Sequence, residues 1–299
     1  MMKLSHESKV RLGVGIGAFV LIVGLVFGVS RTLIHFDGPW DLDDVVSGLS
    51  GMDDVVDEGD PLDDGNYSAQ PQQLSCTTFD EDAFQSLDLD VTSGTVEVKR
   101  VSDGPVRVIE SGHVAKGASA SDAATHNLAK IEGSTLKISQ FDCDDERAHD
   151  RKVTIELPRE LADNMMGITA NVGLGDLTVA DIACHDFDLT LDSGDVEFTG
   201  TVTDTLNAEV GSGDVTFELY QAPAKSMDVS VDSGDVEITV PNSTGFKASL
   251  TVGSGDFESD FLPLGYDGET ILNLEFDNGD KSATYRFEVG SGDMSFDPE

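Results

Sequence analysis

The residues with the clearest chemical potential in this chain are six aspartates, each placed directly after a glycine in a repeated turn. The turns read Gly-Leu-Gly-Asp, Asp-Ser-Gly-Asp or Gly-Ser-Gly-Asp. Aspartate in a turn can accept hydrogen bonds from backbone N–H groups, whereas carboxylates together with backbone oxygens can bind Ca2+. We expect turn caps and no cofactor, and we keep a calcium ladder as the alternative. The aspartates are Asp176, Asp195, Asp214, Asp235, Asp256 and Asp293.

Two further groups of residues have the composition of a catalytic site without its expected geometry. Cys184, His185 and Asp186 are adjacent, and adjacent residues of a strand point to opposite faces, so they cannot form a relay. His149 and Asp150 follow a strongly acidic segment, and we predict that they are solvated. Lys and Arg are scarce, which argues against polyanionic substrates. We predict that the protein is not an enzyme.

The turns themselves recur at a nearly fixed interval. Between the second and the sixth turn glycine the steps are 19, 19, 21 and 21 residues, and the last step is 37. A fixed period near twenty residues indicates a repeat architecture. We interpret the glycine as the residue that supplies the positive φ of a sharp turn. The turn glycines are Gly94, Gly175, Gly194, Gly213, Gly234, Gly255 and Gly292.

Apolar residues flank every turn and alternate with polar ones along both arms. This period of two predicts strands with one buried face. Two all-β architectures fit: a right-handed parallel β-helix, or solenoid, with rungs of about twenty residues, and an antiparallel meander or sandwich in which each turn is a hairpin. The regular period favours the solenoid. Residues 277–280, Asp-Asn-Gly-Asp, predict one true hairpin as a cap near the C-terminus.

The residue two positions before the turn glycine supports stacking of the repeats. It alternates in sequence order as Asp192, Gly211, Asp232 and Gly253. Neighbouring strands lie ~4.8 Å apart, where two unit charges repel by about 1 kcal/mol even in water. Alternation would place these carboxylates two rungs apart. The six aspartates after the glycines do not alternate with neutral residues, so the repulsion between their carboxylates is not reduced in this way.

An uncharged apolar segment precedes the repeats. Residues 12–29 approach the length of a membrane-spanning helix. Lys3, Lys9 and Arg11 come before it, so the positive-inside rule places residues 1–11 in the cytoplasm and the bulk of the chain outside the cell. We expect a single-pass anchor in the cell membrane. A cleaved signal peptide is the competing interpretation, although no small-x-small cleavage site follows the segment.

The chain is extremely acidic, with a formal charge of −39. Nucleic acid is therefore excluded as an expected partner, because its binding needs Lys and Arg. Residues 30–73 combine high negative charge with Gly and Pro, which predicts a disordered tether. The β-strand-repeat domain then spans 74–299. We expect its partner to be a protein, a peptide or the cell wall, in addition to the membrane contacted by residues 12–29.

The three cysteines are too few for a disulfide scaffold. Cys76 and Cys143 both lie just outside strand-like runs and are the candidates for one bridge if the domain is extracellular. Three ordinary thiols are the alternative, with Cys184 unpaired in either case.

The region from Phe84 to Phe296 resembles a bacterial "putative adhesin" family of unknown function, whose members carry β-strand repeats with Ser-Gly-Asp turns. The likeness rests on the turns and on residues 87–98, 133–138 and 153–158. It implies a β-helix-like domain, often membrane-tethered, linked to surface adhesion or envelope-stress sensing. Segment 99–131 departs from the pattern, and we expect a loop or short helix there.

The expected function is therefore surface contact by a membrane-anchored extracellular domain, in adhesion, in sensing of stress or the cell wall, or in scaffolding of a partner. A calcium-responsive structural module is the alternative, and a glycan-active enzyme comes third. None of these functions requires a cofactor other than the alternative Ca2+.

Overall fold

The computed structural model describes residues 66–139, 146–262, 274–279 and 282–299. The predicted anchor at 12–29 and most of the predicted tether lie outside these residues. No helix in the described ranges has the length and apolar character needed to cross a membrane.

The described residues form two short helices, α1 (Ala120–Ala123) and α2 (Arg159–Ala162). Their strands are β1 (Gln72–Phe79), β2 (Ser86–Val91), β3 (Thr95–Val101), β4 (Val106–Val114), β5 (Ala129–Glu132), β6 (Thr135–Ile138), β7 (Ala148–Pro158), β8 (Met165–Val172), β9 (Asp176–Leu191), β10 (Val196–Val210), β11 (Val215–Gln221), β12 (Ser226–Val231), β13 (Asp235–Val240), β14 (Phe246–Val252), β15 (Asp256–Glu258), β16 (Leu274–Asn278), β17 (Ala283–Val289) and β18 (Asp293–Pro298).

The repeats form the rungs of a stack with two faces. Each repeat rung has a strand on face A, a corner and a strand on face B, and we name it by its corner glycine. The corner reads Gly-Asp except at Gly94, where it reads Gly-Thr. Face A contains, in spatial order, β6, β2, β8, the second halves of β9 and β10, β12, β17 and β14. Face B contains β7, β3, the first halves of β9 and β10, β11, β13, β18 and β15.

All neighbours within these two series pair in parallel, so the all-β solenoid is the observed architecture and the repeats do not form a meander. The hand of the solenoid stays a prediction. Parallel pairing puts equivalent residues above one another, as in the pairs Val196–Val215 and Phe198–Phe217. Every second side chain is buried between the faces. Full burial of such a residue contributes roughly 1.5–3 kcal/mol, so each rung is stabilised by the next.

The rungs do not stack in sequence order at the C-terminal end. Strand β17 pairs with β12 on one side and with β14 on the other. Strand β18 lies in the same way between β13 and β15. The Gly292 rung, which is last in the sequence, is therefore inserted between the Gly234 and Gly255 rungs. This insertion accounts for the long final step in the glycine spacing.

The hairpin predicted at residues 277–280 is wrong. Strand β16 before this turn pairs antiparallel with β14, and β17 after it pairs parallel with β14. The two strands are thus separated by β14 and are not hydrogen-bonded as a hairpin. Gly279 has a left-handed φ of 58°, as the local sequence suggested. Strand β16 does lie at the edge of the stack, next to the Gly255 rung.

At the N-terminal end of the stack, antiparallel strands pair with the edge strand of each face. Strand β4 pairs with β7 and with β1, and β5 pairs with β6. Segment 99–131 therefore contains the whole of strand β4 and parts of β3 and β5, in addition to the short helix α1, which is capped by the Ser119 side chain. The alternation of Val106, Val108 and Glu110 was the missed signal. Contacts of the domain begin before residue 74, since Tyr67 forms a β-bridge with Ala115.

Candidate functional site

The corner glycines are required for space and not for a positive φ. Apart from Gly94, with a φ of 78°, no corner glycine has a positive φ. A Cβ added to any of the others would lie far inside van der Waals contact of the carbonyl oxygen of the neighbouring corner glycine. For Gly175 that distance to Gly94 O would be 2.5 Å. The positive-φ interpretation is therefore wrong for six of the seven, and at these six a Cβ would instead collide with the backbone of the neighbouring rung.

Backbone hydrogen bonds join the corners of neighbouring rungs. Ser212 N donates to Asp192 O at 2.8 Å, and Ser233 N donates to Gly211 O at 2.8 Å. The same bond recurs at the inserted rung, where Ser291 N donates to Asp232 O at 2.7 Å. The corners are thereby held in one line along the stack, and so are the side chains attached to them.

The predicted aspartates do form a continuous exposed column beside the corner glycines. In spatial order the column reads Asp176, Asp195, Asp214, Asp235, Asp293 and Asp256. At its C-terminal end the carboxylates accept N–H groups of the next rung. Asp256 N donates to Asp293 Oδ1 at 3.1 Å, and Asp293 N donates to Asp235 Oδ1 at 3.4 Å. Asp235 and Asp293 thus accept turn N–H groups, although the donor lies in the neighbouring rung and not in the same turn as predicted.

The residues two positions before the corner glycines alternate as predicted up to Asp232, which is followed in the stack by Gly290 and not by Gly253. Gly211 lies against the Asp192 backbone, and Gly290 lies against that of Asp232. Asp192 and Asp232 are therefore two rungs apart. At ~9.6 Å their separation exceeds the Debye length of about 8 Å at physiological ionic strength, so their repulsion is largely screened.

The outward side chains of face B alternate in the same way, with hydroxyl groups between carboxylates. This column, which we call the Thr/Glu column, runs through all paired rungs in register. Because a Thr or Ser lies between each Glu and the next, the carboxylates of this column lie two rungs apart. In spatial order the column reads Thr154, Glu97, Thr178, Glu197, Thr216, Glu237, Ser295 and Glu258.

The insertion of the last rung preserves this alternation. In sequence order Glu258 would follow Glu237 directly, and two carboxylates would be neighbours. In the structure Ser295 lies between them. On face A the same insertion places Arg286 beside Asp228, with 3.5 Å between Nε and Oδ1. The outward charges therefore favour the observed order of rungs over the sequence order.

The aspartate column and the Thr/Glu column border a shallow groove of about 460 Å³ on the last four rungs. The residues that line it include no Lys, Arg or His. Over residues 160–299 the sequence has four Lys and Arg against 29 Asp and Glu, so the surroundings of the groove are also acidic. Its acidic residues are Asp214, Asp235, Asp293, Asp256, Glu237 and Glu258. We call this groove and its two columns the acidic face.

Within the described ranges no group of three or more His, Cys, Asp or Glu side chains converges as metal ligands do. The aspartates of the column follow one another along the stack and are spread by the rung spacing. A calcium ladder therefore stays a proposal that needs its own test.

Cys184, His185 and Asp186, which have the composition of a catalytic site, are separated by the geometry of their strand. Cys184 is buried, and burial raises the pKa of its thiol to about 12, with Asp186 and Asp188 adding to the shift. His185 lies on the opposite, exposed side, with Nδ1 3.5 Å from Asp204 Oδ2. Lys225 Nζ also bonds this carboxylate at 2.8 Å and lowers the pKa of Asp204. Cys184 thus points away from both His185 and Asp186, which are exposed.

The prediction that His149 is solvated is wrong. It lies in β7, and its ring stacks on that of His113 with centroids 5.6 Å apart. Tyr67 contacts it edge-on at 4.1 Å. His113 Nδ1 in turn bonds Ser68 O at 2.7 Å. These contacts attach the segment that precedes β1 to the end of the stack. Cys76 in β1 is an exposed free thiol, and Cys143 lies outside the described residues.

A buried ion pair at the N-terminal end was not predicted from the sequence. Arg151 Nη1 donates to Glu110 Oε1 at 2.7 Å, and both side chains are almost fully buried. Thr125 N and Ser75 Oγ donate to the other carboxylate oxygen, at 2.9 and 3.2 Å. The cluster joins β1, β4 and β7 to the segment after α1. Its signal in the sequence is that Glu110 continues the inward alternation of Val108.

The chain is similar to several known proteins. Similar solved structures include a "putative cell adhesion protein" from Clostridium sporogenes, with 11% identity, coverage of 77% of this chain and 100% of that one, and a TM-score of 0.44. Another is a "putative adhesin" from Bacteroides fragilis, with 16% identity, coverage of 77% and 98%, and a TM-score of 0.42. No curated protein matches the chain. A family profile described as Toastrack DUF4097 matches residues 62–296, which confirms the resemblance seen in the turn repeats, and the chain therefore belongs to the Toastrack DUF4097 family.

Proposed function

We propose that this protein is a membrane-anchored adhesin-like module that displays its solenoid outside the cell and acts by surface contact. The observation that carries the proposal is the acidic face, a row of carboxylates and hydroxyls repeated in register at the rung spacing of ~4.8 Å. Such a surface complements a repetitive cationic surface on a protein, a peptide or the cell wall. Electrostatic complementarity of this kind gives specificity and fast association more than raw affinity.

The anchor and the orientation of the chain rest on the sequence. Residues 12–29 supply the apolar segment, and the cations before it favour a cytoplasmic N-terminus. The acidic residues of 30–73 repel one another, which favours an extended spacer between the membrane and the solenoid. Protease added to intact cells should therefore digest the solenoid while leaving a small fragment that contains residues 1–29. A solenoid fully protected from protease would contradict this topology.

Contact through the acidic face is tested with cells that display the full chain on surfaces coated with a lysine-rich peptide. The triple variant Glu197→Gln, Glu237→Gln, Glu258→Gln removes three carboxylates from the Thr/Glu column. We expect several-fold weaker adhesion, and we expect salt to weaken the parent's adhesion because the attraction is between exposed charges. The matched control, Glu81→Gln, Glu146→Gln, Glu160→Gln, removes the same charge from exposed sites elsewhere. Equal adhesion of the two variants would refute a role for the acidic face.

A calcium-responsive structural module is the second candidate. The observation that favours it is the aspartate column, in which six exposed carboxylates follow one another without intervening neutral residues. Calcium bound there would raise the melting temperature of the β structure, as any ligand of the folded state does. Melting followed by circular dichroism, with calcium and with chelator, separates the candidates. A melting temperature that does not respond to calcium removes this second function and leaves the first untouched.

A further inference from the structure

We propose that Asn242 is a glycosylation site, at which the side-chain amide receives a glycan from a lipid-linked sugar donor. Asn-x-Ser or Asn-x-Thr, in which x is any residue except proline, is the acceptor sequence for such a glycan. Residues 242–244 read Asn-Ser-Thr. The inference goes beyond contact through the acidic face, and it shares with the proposed function the placement of the solenoid outside the cell.

The acceptor sequence lies in an exposed turn between two rungs. Residues 241–245 connect the end of β13 on face B to the start of β14 on face A. Thr244 N donates to Pro241 O at 2.9 Å, which closes a β-turn with Asn242 and Ser243 at its two central positions. Both central residues are exposed. The asparagine is therefore accessible to a transferase on the folded solenoid.

The two side chains of the acceptor sequence are not occupied by other contacts. Within the described part of the chain, neither the Asn242 amide nor the Thr244 hydroxyl takes part in a hydrogen bond. The turn is held through its backbone instead, since Asn278 Nδ2 donates to Thr244 O at 2.8 Å. A glycan on Asn242 would thus replace no described hydrogen bond of the solenoid.

The transfer is a substitution at the first carbon of the donor sugar. Asn242 Nδ2 forms a bond to this carbon, while the bond from the carbon to the oxygen of a lipid-linked phosphate or diphosphate breaks. The electron pair of the broken bond leaves with the phosphate, and Nδ2 loses one proton to a base of the transferase. Nothing is oxidised or reduced. The linked amide stays neutral, so the linkage itself does not change the charge of the turn.

The chain contains a second acceptor sequence, residues 66–68, which is held in the sheet. The Ser68 hydroxyl accepts from Val114 N at 3.0 Å and also donates to a backbone oxygen at 2.9 Å. Its hydroxyl is therefore engaged in the folded solenoid, whereas that of the exposed turn is not. The folded solenoid thus offers Asn242 in preference to Asn66, and Asn66 provides an internal comparison.

A glycan at this turn would leave the acidic face uncovered. The aspartate column passes through Asp235 at the start of β13, and Asn242 follows the end of the same strand. At ~3.3 Å per residue, the strand separates the two by roughly 20 Å. Modification of the turn and contact through the acidic face are therefore compatible.

The experiment analyses peptides that trypsin releases from intact cells that naturally produce the protein. Cleavage after Lys225 and Lys247 yields residues 226–247, in which Asn242 is the only asparagine. Mass spectrometry should show a mass above that of the amino acids by a whole number of sugar residues, and fragmentation should place the excess on Asn242. Release of this peptide without the excess would overturn the inference and leave the surface-contact function standing. Release of no peptide from the solenoid would overturn both.

Three variants produced in the same cells test the acceptor sequence. Asn242→Gln and Thr244→Ala should each abolish the added mass, because the sequence requires both the amide and the hydroxyl. Ser243→Ala, the matched control, changes the middle position of the same exposed turn and should keep the added mass. Added mass that persists in Asn242→Gln would overturn the site. Cleavage before aspartate releases residues 64–79, and occupancy of Asn66 equal to that of Asn242 would overturn selection by the exposed turn.

Discussion

Substituting Gly213 tests whether the corner glycines are required for space or for backbone conformation. Gly213 lies in the middle of the stack, and its φ is not positive. Besides its clash with Gly194 O, a Cβ there would lie 2.9 Å from Leu191 Cδ2 and 3.0 Å from the Gly194 carbonyl carbon. Gly133 is the matched control because its φ is 65° and a Cβ there would meet nothing within 4 Å.

The expected cost of Gly213→Ala follows from the displacement that the methyl group forces. The rung would have to move by about 1 Å, which would lengthen the bonds from Ser212 N to Asp192 O and from Gly211 N to Leu191 O, now 2.8 Å each. Each lost bond costs about 1 kcal/mol, and loss of packing adds to this. We expect the free energy of unfolding to fall by roughly 3–5 kcal/mol. Gly133→Ala should cost roughly 1–2 kcal/mol, the penalty of a left-handed conformation.

Asparagine distinguishes the two explanations further. It tolerates a left-handed conformation better than alanine does, so Gly133→Asn should be milder than Gly133→Ala. At Gly213 the larger side chain should make Asn at least as damaging as Ala. Urea unfolding followed by circular dichroism measures all four variants. If Gly213→Ala cost only about 1 kcal/mol, and Gly213→Asn cost still less, the argument from space would be refuted.

Three further predictions concern charged residues. Asp214→Asn should raise the free energy of unfolding by about 0.5–1 kcal/mol at low ionic strength, because it removes one repulsive neighbour from the aspartate column, and the gain should vanish in high salt. The hydrogen bond from Lys152 lowers the pKa of Glu97 below its ordinary 4.5, so this pair contributes stability above that value and loses it as pH falls through the folded-state pKa. Glu97→Gln should therefore lower the urea midpoint near neutral pH and match the parent in strong acid. Arg151→Met should cost roughly 3–5 kcal/mol by leaving the buried Glu110 carboxylate without its cation, and adding Glu110→Gln should recover part of the loss, whereas no recovery would contradict an electrostatic origin.

The local pattern of the chain was sufficient to predict its repeats. Alternation around each turn predicted strands with one buried face, and the fixed period predicted parallel rungs, because identical units bury identical residues when they stack in register. The alternation of Asp192 and Gly211 predicted charge relief between neighbouring rungs. These features depend only on period, charge and side-chain type, which is why the sequence alone determined the all-β class, the corner positions and the aspartate column.

The tertiary structure decided what depends on contacts between distant segments. The sequence places Gly292 after Gly255, yet the core and the outward charges favour its rung in the slot before it, where Ser295 separates Glu237 from Glu258. The same stacking excludes a Cβ at the corners, a constraint that no local dihedral preference shows. The buried partner of Glu110 is likewise visible only when β4 and β7 are paired. Close approach and pairing between remote strands are properties of the assembled stack, and the order of its rungs was therefore settled by the fold and not by the order of the chain.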